Sequence, residues 1–358
     1  MHSLPTHTHA QFLLLVLAAH ALAKRERPVN ATFGGFTFPA GTIEQLATEF
    51  TGHLSIPNGC LINPEDLPDG SPSQNLAALW LRAAFHDVGK YDPKNPGQPV
   101  SGLLPNYLDQ VENAGIAQSI ATRFAPVVKF NFSRADYIAL GAQVSITHCG
   151  GPSFDFMMYR EDAPHNTPFA SLPHALPDDA VDSYELMKQK LYRLGLSNQE
   201  IVLLVTGSHS LGGAHKVTSP HATNKTFQAF DSSPGVFDNV IFKEMRAGRC
   251  VLNIDCGIMR DGAMKTWIEL YASDEAAFFK DYALAFNKMA NLGQDETSLE
   301  AVVLDVPVHK NLVVEGSLLA TTASSSASTN TNTKSGGIQF RLNGALWILS
   351  IITPFMFF

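Results

Sequence analysis

The apolar residues of this chain recur mostly at helical spacing between about residues 40 and 300, with proline and glycine marking the loops. Residues three and four apart lie on one face of a helix, so this spacing indicates helices that pack on a common core. Strict alternation of apolar and polar residues, the pattern of a half-buried strand, is scarce. We therefore expect a mainly α fold. The predicted helices cover Thr42 to His53, Ser73 to Asp87, Ser133 to Ile146, Ala180 to Leu194, Ser197 to Leu211, Val236 to Met245 and Asp274 to Asn291.

The N-terminus resembles a secretory leader. An apolar run from Phe12 to Ala19 is followed by Ala21-Leu22-Ala23, which is similar to a signal-peptidase site. This pattern predicts a signal peptide over residues 1–23 and an N-terminal extension over residues 24–40. We expect the chain to be secreted.

The C-terminus has the order of a signal for attaching a GPI anchor. A segment rich in Ser, Thr and Asn, Thr321 to Thr333, precedes Ser335-Gly336-Gly337 and an apolar tail that ends at Phe358. A single membrane span is the alternative, but Gly344 to Phe358 is shorter than the ~20 apolar residues a span needs. We expect a folded domain over residues 41–315, a linker over 316–336 and a GPI signal over 337–358.

Net charge and cysteine content indicate which partners the chain can bind and what its cysteines do. A net charge of −8 over 358 residues provides no basic stripe for a phosphate backbone, which argues against a nucleic-acid partner. In a secreted chain the cysteines predict two disulfides, with three pairings open and zinc binding less favoured because no CxxC occurs. The cysteines are Cys60, Cys149, Cys250 and Cys256. Export would also make three sequons usable as glycan sites, at Asn30, Asn131 and Asn224.

The first chemical motif lies in a predicted helix. Arg82 and His86 are four residues apart and therefore lie one above the other on one face. A cation beside an imidazole suits a reaction in which a peroxide loses a proton to one group while negative charge develops near the other. An exposed basic helix face is the alternative for this pair taken alone.

The second motif is a nearly all-apolar helix that runs from Ile201 to Gly212 and includes His209. We expect this histidine to be buried and neutral, and a neutral imidazole in an apolar setting is a good ligand for iron. A core histidine bonded to a backbone carbonyl is the alternative for an isolated residue of this kind.

Together the two segments resemble the distal and proximal helices of the plant-type haem peroxidase superfamily, in the same order along the chain. The likeness covers roughly residues 45 to 293 and is closest to the secreted fungal class II enzymes. It includes a closing helix over Trp267 to Gly293. The resemblance implies the haem peroxidase fold, with haem b (iron protoporphyrin IX) between a distal and a proximal helix and hydrogen peroxide as the oxidising substrate.

The resemblance also implies a role for each matching residue. His86 corresponds to the acid–base, Arg82 to the charge stabiliser and Phe85 to the distal aromatic residue. His209 corresponds to the iron ligand. Asp255, in a run similar to the family's proximal aspartate segment, would accept a hydrogen bond from that ligand, and Asn113 would orient His86. The family's pairing implies the disulfides Cys60–Cys149 and Cys250–Cys256.

Calcium is implied by a loop similar to the proximal calcium loop of class II enzymes. Its ligands would be the side chains of Ser210, Asp231, Ser233 and Asp238 with the carbonyl of Val236. A helix N-cap loop, rich in Asp and Ser anyway, is the alternative. Asp87 matches the first distal calcium ligand, but Pro99 to Leu103 stands where the family has Gly-x-Asp-Gly-Ser, which weakens or abolishes that site.

The resemblance predicts an extracellular, monomeric peroxidase that oxidises small phenolic-type donors by one-electron steps. The manganese carboxylates of lignin-degrading relatives are replaced by Asn75, Leu79 and His215, and their surface radical tryptophan by Leu204. Manganese and high-potential lignin oxidation are therefore disfavoured. The alternative from another class is a surface haem-binding or structural protein with reduced catalysis.

Overall fold

The computed structural model describes residues 30–33, 36–39, 41–54, 59–60, 75–94, 100–116, 132–164 and 176–309. The predicted signal peptide, the linker, the apolar tail and the Asn131 sequon lie outside these residues. Within them, no helix combines the length and the apolar character that crossing a membrane requires.

Helices dominate the described residues, which confirms the predicted mainly α fold. They are α1 Thr42–Leu54, α2 Leu76–Val88, α3 Arg134–His148, α4 Tyr184–Arg193, α5 Asn198–Ile201, α6 Val240–Arg246, α7 Asn253–Arg260, α8 Gly262–Ser273 and α9 Glu275–Ala290. Short 3₁₀ turns cover Leu104–Asn106, Val111–Asn113 and Glu296–Ser298.

The strands are short and pair antiparallel in three ribbons. Their bounds are β1 Asn30–Phe33, β2 Phe36–Pro39, β3 Phe156–Met158, β4 Gly213–Ala214, β5 Gln228–Ala229 and β6 Glu300–Val302. β1 pairs with β2, β3 with β6 and β4 with β5. In the last ribbon Gly213 lies opposite Ala229.

Capping side chains set helix starts that differ from the predicted ones. Helix α2 begins after Asn75, whose side chain accepts the amide of Ala78 at 3.0 Å. Helix α4 begins after Ser183 and not at Ala180, because the Ser183 hydroxyl accepts a first-turn amide at 3.3 Å. Helix α6 starts four residues later than predicted, because Asp238 accepts the amide of its first residue at 2.9 Å. Each cap satisfies an amide that has no partner inside the helix.

The second half of the chain is more broken than the apolar pattern indicated. The predicted helix from Ser197 to Leu211 is α only as far as Ile201 and continues as a π-helix over Val202–Gly207 and a 3₁₀ turn over Ser208–Ser210. We call this run, residues 198–210, the α5 segment. Helix α7 was not predicted, and only the second half of α8 lies within the predicted closing helix. The closing helix is divided into α8 and α9, because Asp274 adopts an extended conformation and caps α9 by accepting the amide of Ala277 at 2.9 Å.

Close packing holds the distal helix α2 against α1 and α3. The rings of Phe50 and Trp80 meet edge to face at 4.9 Å, and Tyr137 packs against both. A Cβ on Gly141 would lie 2.6 Å from the Trp80 ring, so only glycine lets α3 approach this closely. Fully burying aromatic side chains of this size contributes the largest apolar areas a core can offer. The packing therefore fixes the direction of α2.

Two disulfides tie the chain together. Cys60 bonds to Cys149, which joins the segment before α2 to the end of α3. Cys250 bonds to Cys256 across the start of α7. These are the pairings that the resemblance implied, and no described cysteine is free.

On the other side of the core, a Cβ on Gly207 would lie 2.8 Å from the Phe278 ring, so α9 packs directly against the turn that carries His209.

Candidate active site

Three side chains in the second half of α2 are only half-buried, although the residues between them are buried. They are Arg82, Phe85 and His86, and the residues between them, Ala83 and Ala84, are 0 and 4% exposed. The spacing of these three positions places them on one side of the helix. This side of α2 therefore faces a cleft while the rest of the helix lies in the core.

His86 is held in one tautomer by Asn113. Nδ1 of His86 lies 2.8 Å from Oδ1 of Asn113, and Nδ2 of Asn113 donates to the carbonyl of Tyr107 at 2.7 Å. Because that second bond fixes the amide orientation, Oδ1 accepts and Nδ1 of His86 carries the hydrogen. Nε2 of His86 is then the lone-pair nitrogen, ready to accept a proton.

The protonation state of His86 suits this task. Burial and the positive charge of Arg82 lower the pKa of His86 to about 3, an effect that the hydrogen bond from His86 to Asn113 only partly offsets. A general base must be neutral to accept a proton. His86 is therefore available as a base at neutral pH.

Arg82 is anchored to the loop that carries Asn113. Its Nη2 donates to the carbonyl of Glu112 at 2.8 Å and its Nη1 to the carbonyl of Ala114 at 2.6 Å. Burial lowers the pKa of Arg82 to about 10, which still leaves the guanidinium charged at neutral pH. The cation is thus held one turn from His86.

His209 lies on the other side of the cleft. Its Nδ1 is 2.8 Å from Oδ2 of Asp255, and the second oxygen of this buried carboxylate accepts the hydroxyl of Thr206 at 2.8 Å. The bond to Asp255 leaves Nε2 of His209 as the nitrogen that can bind a metal. Thr206, which fixes the Asp255 carboxylate, was missed by the sequence analysis, and no motif there marks it.

His209, which the sequence predicts to be buried and neutral, is partly buried, with its side chain 23% exposed. Residues 201–207 are buried, Ser208 and His209 are partly exposed, and Ser210 is buried again. Burial lowers the pKa of His209, but the charge and hydrogen bond of Asp255 outweigh it, so the pKa lies above its ordinary value. The negative partner therefore makes this imidazole electron-rich.

The two sides approach each other closely enough to enclose a flat cofactor. A Cβ on Gly212 would lie 2.7 Å from Cβ of Ala78 on α2. The charge of Arg82 lowers the pKa of His209, so the two lie within electrostatic reach. The Phe230 ring packs 4.6 Å from the His209 ring. These side chains suit a haem. His209 offers a free Nε2 on one side of the cleft, and Arg82, Phe85 and His86 lie on the other.

Comparison with known proteins decides the family. Residues 68–274 match the family model described as Peroxidase, a span that contains every residue of both sides of the cleft. This chain belongs to the plant-type haem peroxidase superfamily. As a haem peroxidase it is an oxidoreductase that acts on hydrogen peroxide.

The peroxidase resembles plant enzymes named for ascorbate. It is 34% identical over 228 residues to L-ascorbate peroxidase 2, cytosolic, of Oryza sativa subsp. japonica, an alignment that covers 62% of this chain and 86% of the relative. It is 31% identical over 237 residues to L-ascorbate peroxidase 3 of Arabidopsis thaliana, covering 63% and 77%. The particular closeness to the secreted fungal class stays a prediction.

Four of the predicted proximal calcium ligands of this peroxidase, Asp231, Ser233, Val236 and Asp238, lie in one turn. Ser233 Oγ donates to Asp238 Oδ1 at 3.1 Å, and the Ser233 amide donates to Asp231 Oδ1 at 2.9 Å. Ser210 Oγ and Asp231 Oδ2 are buried without a hydrogen-bond partner among the described residues. Val236 closes the same turn through its amide, which donates to the carbonyl of Ser233 at 2.8 Å.

Electrostatics at this loop favours a cation. Burial and the nearby charge of Asp238 raise the pKa of Asp231 to about 8, and burial also raises the pKa of Asp238. Buried polar atoms without partners are rare and call for a ligand or water. The described residues hold no cluster of three or more His, Cys, Asp or Glu side chains, so a cation here would rely on hydroxyl and carbonyl oxygens as well.

Asp87 has other partners than a distal calcium. Its Oδ2 accepts the amide of Gly102 at 2.7 Å and its Oδ1 accepts the amide of Leu104 at 3.0 Å. Burial raises its pKa to about 7 despite these two bonds. The carboxylate therefore anchors the backbone at the end of the altered segment, at Gly102 and Leu104, and we do not propose a metal there.

Two further residues border the distal side and were not predicted. Lys90, four residues beyond His86, is 8% exposed and lies 3.0 Å from the Glu112 carboxylate. A small cavity between α2 and the Asn113 loop is lined by both residues and by His86. The continuation of the four-residue spacing from Arg82 through His86 to Lys90 was a signal in the sequence that could have identified Lys90.

Proposed function

We propose that this peroxidase reduces hydrogen peroxide in the cleft between His86 and His209 and takes electrons singly from small phenolic-type donors outside the cell. One observation carries the proposal: each imidazole is fixed through Nδ1 at 2.8 Å, His86 by Asn113 and His209 by Asp255. Both Nε2 atoms are thereby left for chemistry. Haem b, bound through His209, would supply the redox chemistry.

His86 would move the proton of the peroxide. Its neutral Nε2 would take a proton from one oxygen of hydrogen peroxide and would return it to the other oxygen, which leaves as water. Asn113 keeps the hydrogen on Nδ1 during both transfers, so the accepting lone pair always points into the cleft. Phe85 would border this space and exclude water from it.

Arg82 would stabilise negative charge as the oxygen–oxygen bond of the peroxide breaks. A positive charge fixed in a cleft of low dielectric is worth more than the same charge in water. The carbonyls of Glu112 and Ala114 hold the guanidinium in place beforehand. The charge therefore needs little reorganisation at the moment of reaction.

Asp255 would tune the iron ligand. Hydrogen bonding from His209 to a buried carboxylate gives the imidazole partial negative character, which lowers the reduction potential of a bound iron. Thr206 keeps the carboxylate in position through its other oxygen. Both residues would favour the oxidised states that a peroxidase uses.

We propose one calcium ion in the proximal loop. Two aspartates, two serine hydroxyls and a carbonyl offer the oxygen ligands that calcium prefers, from Ser210, Asp231, Ser233, Val236 and Asp238. The unpartnered oxygens of Ser210 and Asp231 support this assignment. Because Ser210 follows His209 directly, the ion would also stiffen the turn that presents the iron ligand.

The two disulfides support a location outside the cell. Disulfides persist in oxidising compartments and are rare in the cytosol, and both pairs are formed here. The signal peptide over residues 1–23 and the GPI signal over 337–358 are part of the same proposal, as is a monomeric state. Expression in a secretory host, followed by phospholipase C treatment of intact cells, tests it. Enzyme that stays in the cytosol with free thiols would contradict secretion.

Ascorbate is the second candidate donor, because the relatives quoted above carry it in their names. A steady-state panel of a phenol, ascorbate, cytochrome c and Mn(II) separates the candidates. We expect the highest kcat/KM with the phenol and the lowest with Mn(II). A clear preference for ascorbate would replace the phenolic proposal and leave the peroxide chemistry unchanged.

Stopped-flow spectroscopy of the haem-loaded protein tests the central proposal. Peroxide should change the Soret band rapidly in the wild type, and His86→Ala should slow this change by about 10²–10⁴-fold, the range for loss of general acid–base catalysis. His221→Ala, a histidine paired with Asp179, is the control. Haem binding without any spectral change on adding peroxide would favour a surface haem-binding protein instead.

A further inference from the structure

Four contacts join the distal helix and the turn that follows it to one short segment, residues 112–114. Arg82 donates to the carbonyls of Glu112 and Ala114, His86 pairs with Asn113, and Lys90 Nζ lies 3.0 Å from Glu112 Oε1. Arg82, His86 and Lys90 are each four residues apart, so the three side chains point to the same side of α2 and of the turn that follows it. Lys90 and Glu112 form the outermost contact of this ladder.

The position of Lys90 is itself fixed. It follows the C-terminus of α2 in a turn whose carbonyls, of Gly89 and Tyr91, accept from the guanidinium of Arg193. Lysine is almost never this deeply buried unless it is paired, and its side chain is only 9% exposed. The ammonium group therefore has a defined place from which to hold Glu112.

A buried ion pair adds little net stability, because desolvation offsets the attraction. The stronger effect of such a pair is on geometry, because loss of the pair lets the two side chains and the backbone that carries them move. Here the group next in sequence is Asn113, whose Oδ1 accepts from His86 at 2.8 Å. A shift of Glu112 would carry Asn113 away from His86.

We propose that Lys90 and Glu112 are positioning residues for the peroxide step, which hold Asn113 on Nδ1 of His86. The proposal rests on the proposed function of His86 as acid–base. The pair touches neither the cofactor nor the peroxide. It acts through Asn113, which keeps the His86 ring oriented and its Nε2 lone pair directed into the cleft.

The test uses the haem-loaded full-length protein with Lys90→Met, Glu112→Gln and the charge swap Lys90→Glu with Glu112→Lys. The second-order rate constant for the peroxide-dependent spectral change should fall roughly tenfold or more in each single variant, because small displacements of catalytic groups are costly. The swap should recover most of the loss. The rate of the subsequent donor oxidation should stay at the wild-type value.

Lys188→Met is the matched control, because Lys188 forms a comparable part-buried ion pair with Asp261 at 2.9 Å, in another part of the fold. It should lower the melting temperature without slowing the peroxide step. Lys90→Arg, which keeps the charge, covers the case in which Lys90→Met fails to fold, and should keep the rate near the wild type.

Hydrogen exchange gives a readout that does not depend on turnover. The Asn113 amide donates to the carbonyl of Gln110 at 2.9 Å, and its exchange should quicken in Lys90→Met and Glu112→Gln but not in Lys188→Met. Wild-type peroxide rates and unchanged exchange in the single variants would overturn the proposal. If the wild type itself fails to react with peroxide, the proposed function fails, and the exchange data still decide whether the pair holds Asn113.

Discussion

Nδ1 of His209 lies 2.8 Å from Oδ2 of Asp255, a carboxylate that is 2% exposed and receives a second hydrogen bond from Thr206. The two residues are 46 positions apart in the chain and meet because α7 packs beside the end of the α5 segment. The pair has the geometry by which a carboxylate raises the basicity of a metal-binding imidazole. Its effect on a bound iron can be measured directly.

Asp255→Asn should raise the reduction potential of the bound haem iron and slow the peroxide step by about 10–100-fold, the range for loss of a carboxylate behind a metal-bound histidine. The amide keeps the size of the side chain and removes its charge. Spectroelectrochemistry measures the potential and stopped-flow measures the rate. Thr206→Val, which removes only the bond to the other oxygen, should move both quantities in the same direction by less. An unchanged potential in Asp255→Asn would show that the carboxylate does not act on the iron.

The peroxide step should be independent of pH over about pH 5 to 8. Burial and Arg82 lower the pKa of His86 to about 3, so the base is neutral throughout this range and becomes protonated only near the acid end. Rate constants from stopped-flow at constant ionic strength give the profile. A fall in rate centred near the ordinary histidine pKa of about 6.5 would contradict the lowered pKa.

Calcium should bind more tightly as pH rises towards 8. Burial raises the pKa of Asp231 to about 8, so a proton must leave when the ion binds. In calcium-free protein the folded state holds this proton more tightly than the unfolded chain, whose aspartate pKa is about 3.9. Stability should therefore fall as pH rises from about 4 to 8 in a chelator, and calcium should restore it.

Thermal melting with EGTA and with calcium, at several pH values, checks this prediction. Asp231→Asn is the control, since the amide does not titrate and binds calcium poorly. It should remove most of the pH-dependent loss and most of the calcium effect. Equal melting temperatures with and without calcium in the wild type would rule out the site.

The two disulfides should differ in their contribution to stability. Cys60–Cys149 closes a loop with a sequence separation of 89, and Cys250–Cys256 one of 6. The chain-entropy relation assigns about 4–5 kcal/mol to the first and about 2 kcal/mol to the second. Denaturant unfolding of Cys60→Ala/Cys149→Ala and Cys250→Ala/Cys256→Ala measures the two losses. A larger loss from the short loop would show that strain or local packing, not loop closure, dominates.

Much of the fold could be predicted from local patterns. Helical periodicity identified α1, α3 and α9 to within a few residues, because amphipathic helices of this length record their buried face in the sequence. Helical periodicity did not identify α7 and α8, because both helices are short. Asp261 separates α7 from α8, and Asp274 separates α8 from α9. It also could not reveal the π-helix in the α5 segment, since an all-apolar run looks the same in both helix types.

Some residues of the candidate site could be found from local spacing in the sequence, and others are brought into place only by packing. Arg82 and His86 share one helix, so their four-residue spacing was enough to place them together. Asn113 and Asp255 came from the family resemblance, and only packing brings them within 2.8 Å of their histidines. Lys90 continues the four-residue spacing of Arg82 and His86, whereas Glu112 and Thr206 escaped notice because an ion pair or a hydrogen bond between distant segments leaves no local pattern.

The sequence by itself determined the helical class, the two histidine-bearing helices and the residue types available for peroxide chemistry, because these depend on spacing along one segment. Tertiary structure decided the tautomer of His86, the exposure of His209 and the partners of Asp87. Those properties depend on which backbone and side-chain groups from remote segments reach a given atom. That is a consequence of close packing in three dimensions, which no single stretch of chain encodes.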